Sequence, residues 1–194
     1  MGKLSILAAV LLSIFPGVAL AHPGDVAHVH GFSAGLLHPL TGLDHLLAMV
    51  AVGAWGASLG RANAWFAPAV FVTGMAIGIF GRGGFAGAAW IETSIAASVI
   101  VLGLLLALTI KLPRGLAMAL CGAAGLIHGA AHASEGQAQA AFIAFATGAL
   151  VMTVLLHGAG VSIGLASARL PAVILRAGGG AIAAAGFCFL VGAT

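Results

Sequence analysis

Residues 33–58 read SAGLLHPLTGLDHLLAMVAVGAWGAS, an apolar run interrupted by His38, Pro39, Gly42 and the adjacent pair Asp44 and His45. About 20 residues of α-helix cross the ~30 Å hydrocarbon layer of a bilayer, and this run is long enough. An Asp at the centre of a membrane helix costs at least ~2.5 to 3.5 kcal/mol, so each ionisable group there requires a reason. Pro39 removes one backbone hydrogen bond and Gly42 loosens the next turn. Broken helices with freed carbonyls often line substrate paths in membrane proteins. The stretch reads as a membrane span built around a polar site.

The rest of the chain supports that reading. Of 194 residues, 62% are hydrophobic and only 6% charged, against ~25% charged in an ordinary soluble domain. The formal charge of +3 forms no basic run, which removes nucleic-acid binding from consideration. Five further apolar runs follow the first, with approximate limits Trp65 to Phe80, Ile91 to Ile110, Gly115 to Ala131, Ala140 to Ala166 and Pro171 to Gly192. The expected fold is all-α, a polytopic bundle of six transmembrane helices following a cleavable signal peptide. Lys3, the apolar run Leu4 to Phe15, the Pro16-Gly17 break and the small-residue ending at Ala21 make up that peptide. Residues 22–194 then form one membrane domain, opening with a His-containing periplasmic segment, 22–32.

Lys and Arg concentrate in the cytoplasmic loops of membrane proteins. With the mature N-terminus outside, the inner loops collect Arg61, Lys111, Arg114, Arg169 and Arg176, and the outer side receives Arg82. Signal peptide and charge bias thus agree on a bacterial inner-membrane protein with both mature termini in the periplasm. Glycines recur at four-residue spacing, as in Gly74 and Gly78 or Gly125 and Gly129, which suits close helix packing. Phe-x-Thr-Gly occurs at Phe71 to Gly74 and again at Phe145 to Gly148. Three spans plus three would form an inverted repeat, although this mark is too short to establish one alone.

The chemistry concentrates in two spans. His38 and His45 lie seven residues apart, on one face of a continuous helix, with Asp44 beside them. In the fourth span His128, His132 and Glu135, at spacings of four and seven, share a face. Imidazole with carboxylate suits borderline divalent metals. Glu92 opens the third span at the same outer level, as ligand, supporting partner or charge at the mouth. His157, in the inner half of the fifth span, reads either as a relay towards the cytoplasm or as a hydrogen-bonding partner of a neighbouring helix. Cys121 reads as a soft ligand or, more simply, as a small buried hydrophobe. His22, His28 and His30 offer imidazoles that would capture metal ahead of the pore, or a flexible tract with no such role.

The chain here resembles the HupE/UreJ nickel permeases, over essentially its whole mature length. Their first-span motif, His, five residues, Asp-His, matches His38, Asp44 and His45. Their second, close to Phe-His-Gly-x-Ala/Val-His-Gly-x-Glu, matches His128, Gly129, His132 and Glu135, with Ile127 in place of the aromatic and Ala133 in place of the second glycine. The resemblance implies uptake of nickel as transported substrate, with cobalt or another divalent metal acceptable, in support of hydrogenase or urease maturation. It implies no prosthetic group and no enzymatic activity. The partners expected are the metal ion and the lipid bilayer, and no nucleotide-binding phosphate loop or ATPase subunit is legible.

Two other classes compete. An intramembrane protease is one, since Gly31-Phe32-Ser33-Ala34-Gly35 has the form Gly-x-Ser-x-Gly, but Ser33 enters a membrane helix with no identified base, not a strand-to-helix turn. A metal sensor or maturation partner without transport would need no intramembrane charge on two spans aimed at one cavity.

Overall fold

A computed structural model of the 194-residue chain describes residues 31–81, 90–133 and 139–192. They form α1 (Phe32–Thr41), α2 (Leu43–Ser58), a short 3-10 turn (Arg61–Asn63), α3 (Phe66–Phe80), α4 (Trp90–Ala107), α5 (Arg114–His132), α6 (Gln139–Ser167) and α7 (Ala172–Gly192), with no strand among the described residues. Five helices, counting α3 with its preceding turn, are long and apolar enough to cross a membrane. The α1–α2 pair makes a sixth if it counts as one span. The fold is an all-α multi-pass bundle. The signal peptide expected at 1–21, the histidines at 22, 28 and 30, Arg82 and Glu135 lie outside the described residues.

The expected spans recur within a few residues except at two places. The first run is not one continuous helix: α1 and α2 meet at 81°. Pro39 has no amide to offer the Gly35 carbonyl, and Gly42 adopts an extended conformation, φ −83° and ψ 103°, between the two helices. The third span stops at Ala107, short of Ile110, and the chain turns through Thr109 at φ 52°. That turn is held from two sides. Trp55 Nε1 donates to the Ile110 carbonyl at 2.8 Å, and Arg176 Nε donates to the Ala107 carbonyl at 3.0 Å.

Glycines set how closely the helices approach. A Cβ on Gly125 would meet the Phe71 carbonyl and Met75 amide, and one on Gly74 would meet the Gly122 carbonyl and Leu126 amide, so α3 and α5 pack parallel with backbones in contact. A Cβ on Gly35 would meet the Phe145 carbonyl and Ala149 amide, and one on Gly148 would meet the Phe32 carbonyl and Leu36 amide, so α1 packs on α6 in the same manner. The shift that carries Gly35 to Gly125 also carries Phe32 to Gly122 and Leu36 to Leu126. The shift that carries Phe145 to Phe71 also carries Gly148 to Gly74. The α4–α7 pair maps onto itself: Gly103 meets Gly179 and Ala183, while Gly179 meets Gly103 and Ala107.

Direction completes the relation. α2 runs alongside the second half of α6 in the same sense, through Gly53 against His157 and Val161 and Gly164 against Ala54 and Ala57. α2 and α3 form a hairpin, with Gly56 against Ala64 and Pro68, so α3 opposes α6. These equivalences describe an inverted repeat that relates α1 to the end of α5, α3 to the first half of α6, and α4 to α7. The sequence carries a second mark of it besides Phe-x-Thr-Gly. Ala34-Gly35-Leu36-Leu37-His38 aligns with Ala124-Gly125-Leu126-Ile127-His128, making His38 and His128 equivalent.

This packing makes a graded prediction. Gly125→Ala should destabilise the purified protein by about 1 to 3 kcal/mol, since the added carbon lands on the α3 backbone. Gly178→Ala, with nothing within 4 Å, should be neutral or stabilise by up to ~1 kcal/mol. Heat-denaturation midpoints in detergent check the difference.

Candidate functional site

The helix break brings the first group of residues together. Asp44 sits in the first turn of α2, where a carboxylate is favoured by the exposed amides and the helix dipole. Its Oδ1 accepts from the His45 amide at 2.7 Å and from His45 Nδ1 at 2.8 Å. Gly42 makes room for the pair, since a Cβ there would lie 3.1 Å from Asp44 Oδ1 and 3.4 Å from His45 Nδ1. His38 and His45 thus occupy two helices at an angle and not one helical face. Their rings nonetheless lie 6.0 Å apart, edge to face.

His128 and His132 come to the same place from α5, and both are buried. Successive ring centroids run from Phe145 to His38 at 5.5 Å, His132 at 4.6 Å, His45 at 4.9 Å, His128 at 4.7 Å, Phe71 at 5.4 Å and His157 at 5.1 Å. The row is palindromic about His132 and His45. Phe145 and His38 at one end match Phe71 and His128 at the other, as the inverted repeat requires. His157 stands outside the palindrome, in contact with Phe71.

Three of these imidazoles are held in a defined tautomer. With Nδ1–H of His45 given to the Asp44 carboxylate, Nε2 keeps its lone pair. The Ser98 hydroxyl donates its single proton to the Ile95 carbonyl at 2.7 Å, so at 2.9 Å from His128 it accepts from Nε2–H and leaves the lone pair on Nδ1. His157 Nδ1 donates to the Thr153 carbonyl at 2.7 Å, again leaving Nε2 as the acceptor. His45 Nε2, His128 Nδ1 and His157 Nε2 are buried without a hydrogen-bond partner. Metal-binding histidines show this arrangement: one ring nitrogen fixed by a carboxylate, hydroxyl or carbonyl and the other turned to the ion.

Among the described residues, no group of three or more His, Cys, Asp or Glu side chains is arranged as a closed metal shell. The rings of the row meet edge to face or tilted. Glu92 is exposed in the first turn of α4 and lines an open recess of about 660 Å³ with Asp44, Thr41, Leu43, Cys188 and Phe189. Asp44 is the inner wall of that recess: its side chain is 25% exposed, against 8% for the His45 side chain behind it. The structure thus joins His38, Asp44, His45, His128 and His132, places Glu92 in one recess with Asp44, and sets His157 against Phe71. Cys121 is buried in the apolar core. Ser33 is exposed in the first turn of α1, on a helix and not on a strand-to-helix elbow. Sequence reasoning missed Ser98 and the ring contacts of Phe71 and Phe145. A hydroxyl inside the apolar run of α4 and the repeated Phe-x-Thr-Gly were the available signals.

Comparison with known proteins agrees with the motifs. The HupE / UreJ protein family profile matches residues 10–189. Protein HupE of Rhizobium leguminosarum bv. viciae is 44% identical over 190 residues, which cover 96% of this chain and 95% of that protein. No solved structure matches. The family is one of membrane accessory and transport proteins and not of enzymes, and a chain with these two histidine motifs, matched along nearly its whole length, belongs to it: this is a member of the HupE / UreJ family.

Proposed function

We propose that the protein is a secondary permease that takes up a divalent transition metal, nickel foremost, from the periplasm to the cytoplasm to supply metalloenzyme maturation. The observation that carries this reading is the set of buried imidazoles with one nitrogen fixed and the other unpartnered. An unpaired acceptor in an apolar interior costs stability, and a divalent cation is the ligand that such a lone pair serves. Family membership supports the same role.

In this reading metal arrives at the recess walled by Asp44 and Glu92, sheds part of its water, and binds imidazoles of α1, α2 and α5 with the Asp44 carboxylate beside them. Glu135, three residues beyond His132, is a further ligand on the strength of the motif, and His22, His28 and His30 would raise local metal concentration outside. Binding at the junction of two inverted halves suits alternating access, since each half can rock against the other around the ion. A divalent cation moving inward gains about 2.3 kcal/mol per charge per 100 mV, roughly 4.6 kcal/mol in total, which supports accumulation on the order of a thousandfold. A sensor or maturation partner would bind metal stoichiometrically and accumulate none.

Cells expressing the wild type should take up radioactive nickel saturably, and His38→Ala, Asp44→Ala and His132→Ala at matched membrane levels should not; accumulation no greater than in empty-vector cells would refute transport. Ser98→Ala should weaken uptake about tenfold by freeing the His128 tautomer, whereas Ser98→Thr, which keeps the hydroxyl, should stay near the wild type. Metal binds neutral imidazole, so proton competition should lower uptake as external pH falls from 7 towards 5. A steady rise over that range would contradict imidazole ligation.

A further inference from the structure

The palindromic row of rings accounts for His38, His132, His45 and His128, with a phenylalanine closing each end. It does not account for His157. That residue lies in the middle of α6, fully buried, with its ring centroid 5.1 Å from Phe71, whose ring also meets His128 at 5.4 Å. The shift that carries Phe145 to Phe71 carries His157 into the stretch 82–89, outside the described residues, so no second such histidine is described at the opposite end.

A structural role explains only half of this side chain. The Nδ1–H bond to the Thr153 carbonyl satisfies one ring nitrogen. It leaves Nε2 buried, with its lone pair unused, in surroundings where a leucine would pack without that cost. The Thr153 hydroxyl, one turn before His157, is already engaged. It donates to the Ala149 carbonyl at 2.8 Å and approaches Met75 Sδ at 3.4 Å. His157 is therefore oriented as His45 and His128 are, by one fixed nitrogen, and presents the other to the interior.

We infer that His157 Nε2 is a second station for the divalent cation, linked to the four-histidine cluster through the Phe71 ring that touches both it and His128, and occupied after the cluster on the way inward. The inference rests on the permease reading. A lone imidazole supplies one ligand, so the ion there keeps water or takes backbone carbonyls, and it is held more weakly than in the cluster. That order suits release, since a site that binds as tightly as the first would retain the metal.

The test uses three forms of the full chain at matched membrane levels: wild type, His157→Leu, which keeps the bulk and removes the lone pair, and His157→Cys, which offers a thiolate. Nickel uptake into cells and nickel bound by the purified protein are both measured, with zinc and cobalt as competitors. His157→Leu should lose about tenfold or more of net uptake, while its high-affinity nickel binding stays within about twofold of the wild type because the cluster is intact. His157→Cys should recover part of the uptake and shift competition towards zinc, the metal that thiolate favours. Uptake by His157→Leu equal to the wild type would overturn the inference, as would failure of His157→Cys to exceed His157→Leu in transport. Failure of the wild type itself to take up metal would overturn the permease reading, and this inference with it, which separates the two claims.

Discussion

Backbone contact between helices, permitted by glycine, is the constraint on which the rest of this structure depends. Lipid offers helices no hydrophobic reason to associate, so close packing must supply it. Gly35 and Gly148 bring α1 onto α6, and Gly74 with Gly125 bring α3 onto α5. Side chains one turn further along, His38 and Phe145 in one pair and His128 and Phe71 in the other, are thereby forced to ring-contact distance. Larger residues at the glycines would push the helices apart and the imidazole row would lose its continuity. The site is a consequence of the packing and not an addition to it.

The second constraint is satisfaction of polar groups in an apolar interior. One ring nitrogen each of His45, His128 and His157 is given a fixed acceptor: the Asp44 carboxylate, the Ser98 hydroxyl or the Thr153 carbonyl. These three come from different parts of the chain and use different chemistry, yet all leave a lone pair on the remaining nitrogen. The break at Gly42 serves the same end. It starts α2 anew so that Asp44, in its first turn, is held against His45.

Much of the fold was legible because it is local. An apolar run long enough for a bilayer declares itself within a window of 20 or so residues, and Pro39 with Gly42 declared a weakness in the first span. The size of the bend was not legible, because it depends on how α1 and α2 each settle against α6. The cluster members His38, Asp44, His45, His128 and His132 were readable as costly residues in apolar runs, and the motif resemblance joined the two spans. Ser98 was not, since a serine in a membrane helix returns its hydroxyl to its own backbone as readily as it serves a neighbour. The repeat was half visible: Phe-x-Thr-Gly stood out, whereas the match of Ala34 to His38 with Ala124 to His128 gains meaning only once both pack against those phenylalanines. The contact of the Phe71 ring with both His128 and His157 is a property of three helices at once, and no spacing along one of them contains it.

The central claim is that the buried imidazoles are the metal's ligands. X-ray absorption at the nickel edge, on purified protein loaded with one equivalent of nickel, tests it most directly. The account predicts nitrogen and oxygen neighbours with the multiple-scattering pattern of bound imidazole, reduced in His45→Ala and in His128→Ala. A spectrum of oxygen ligands alone, unchanged in those variants, would contradict it.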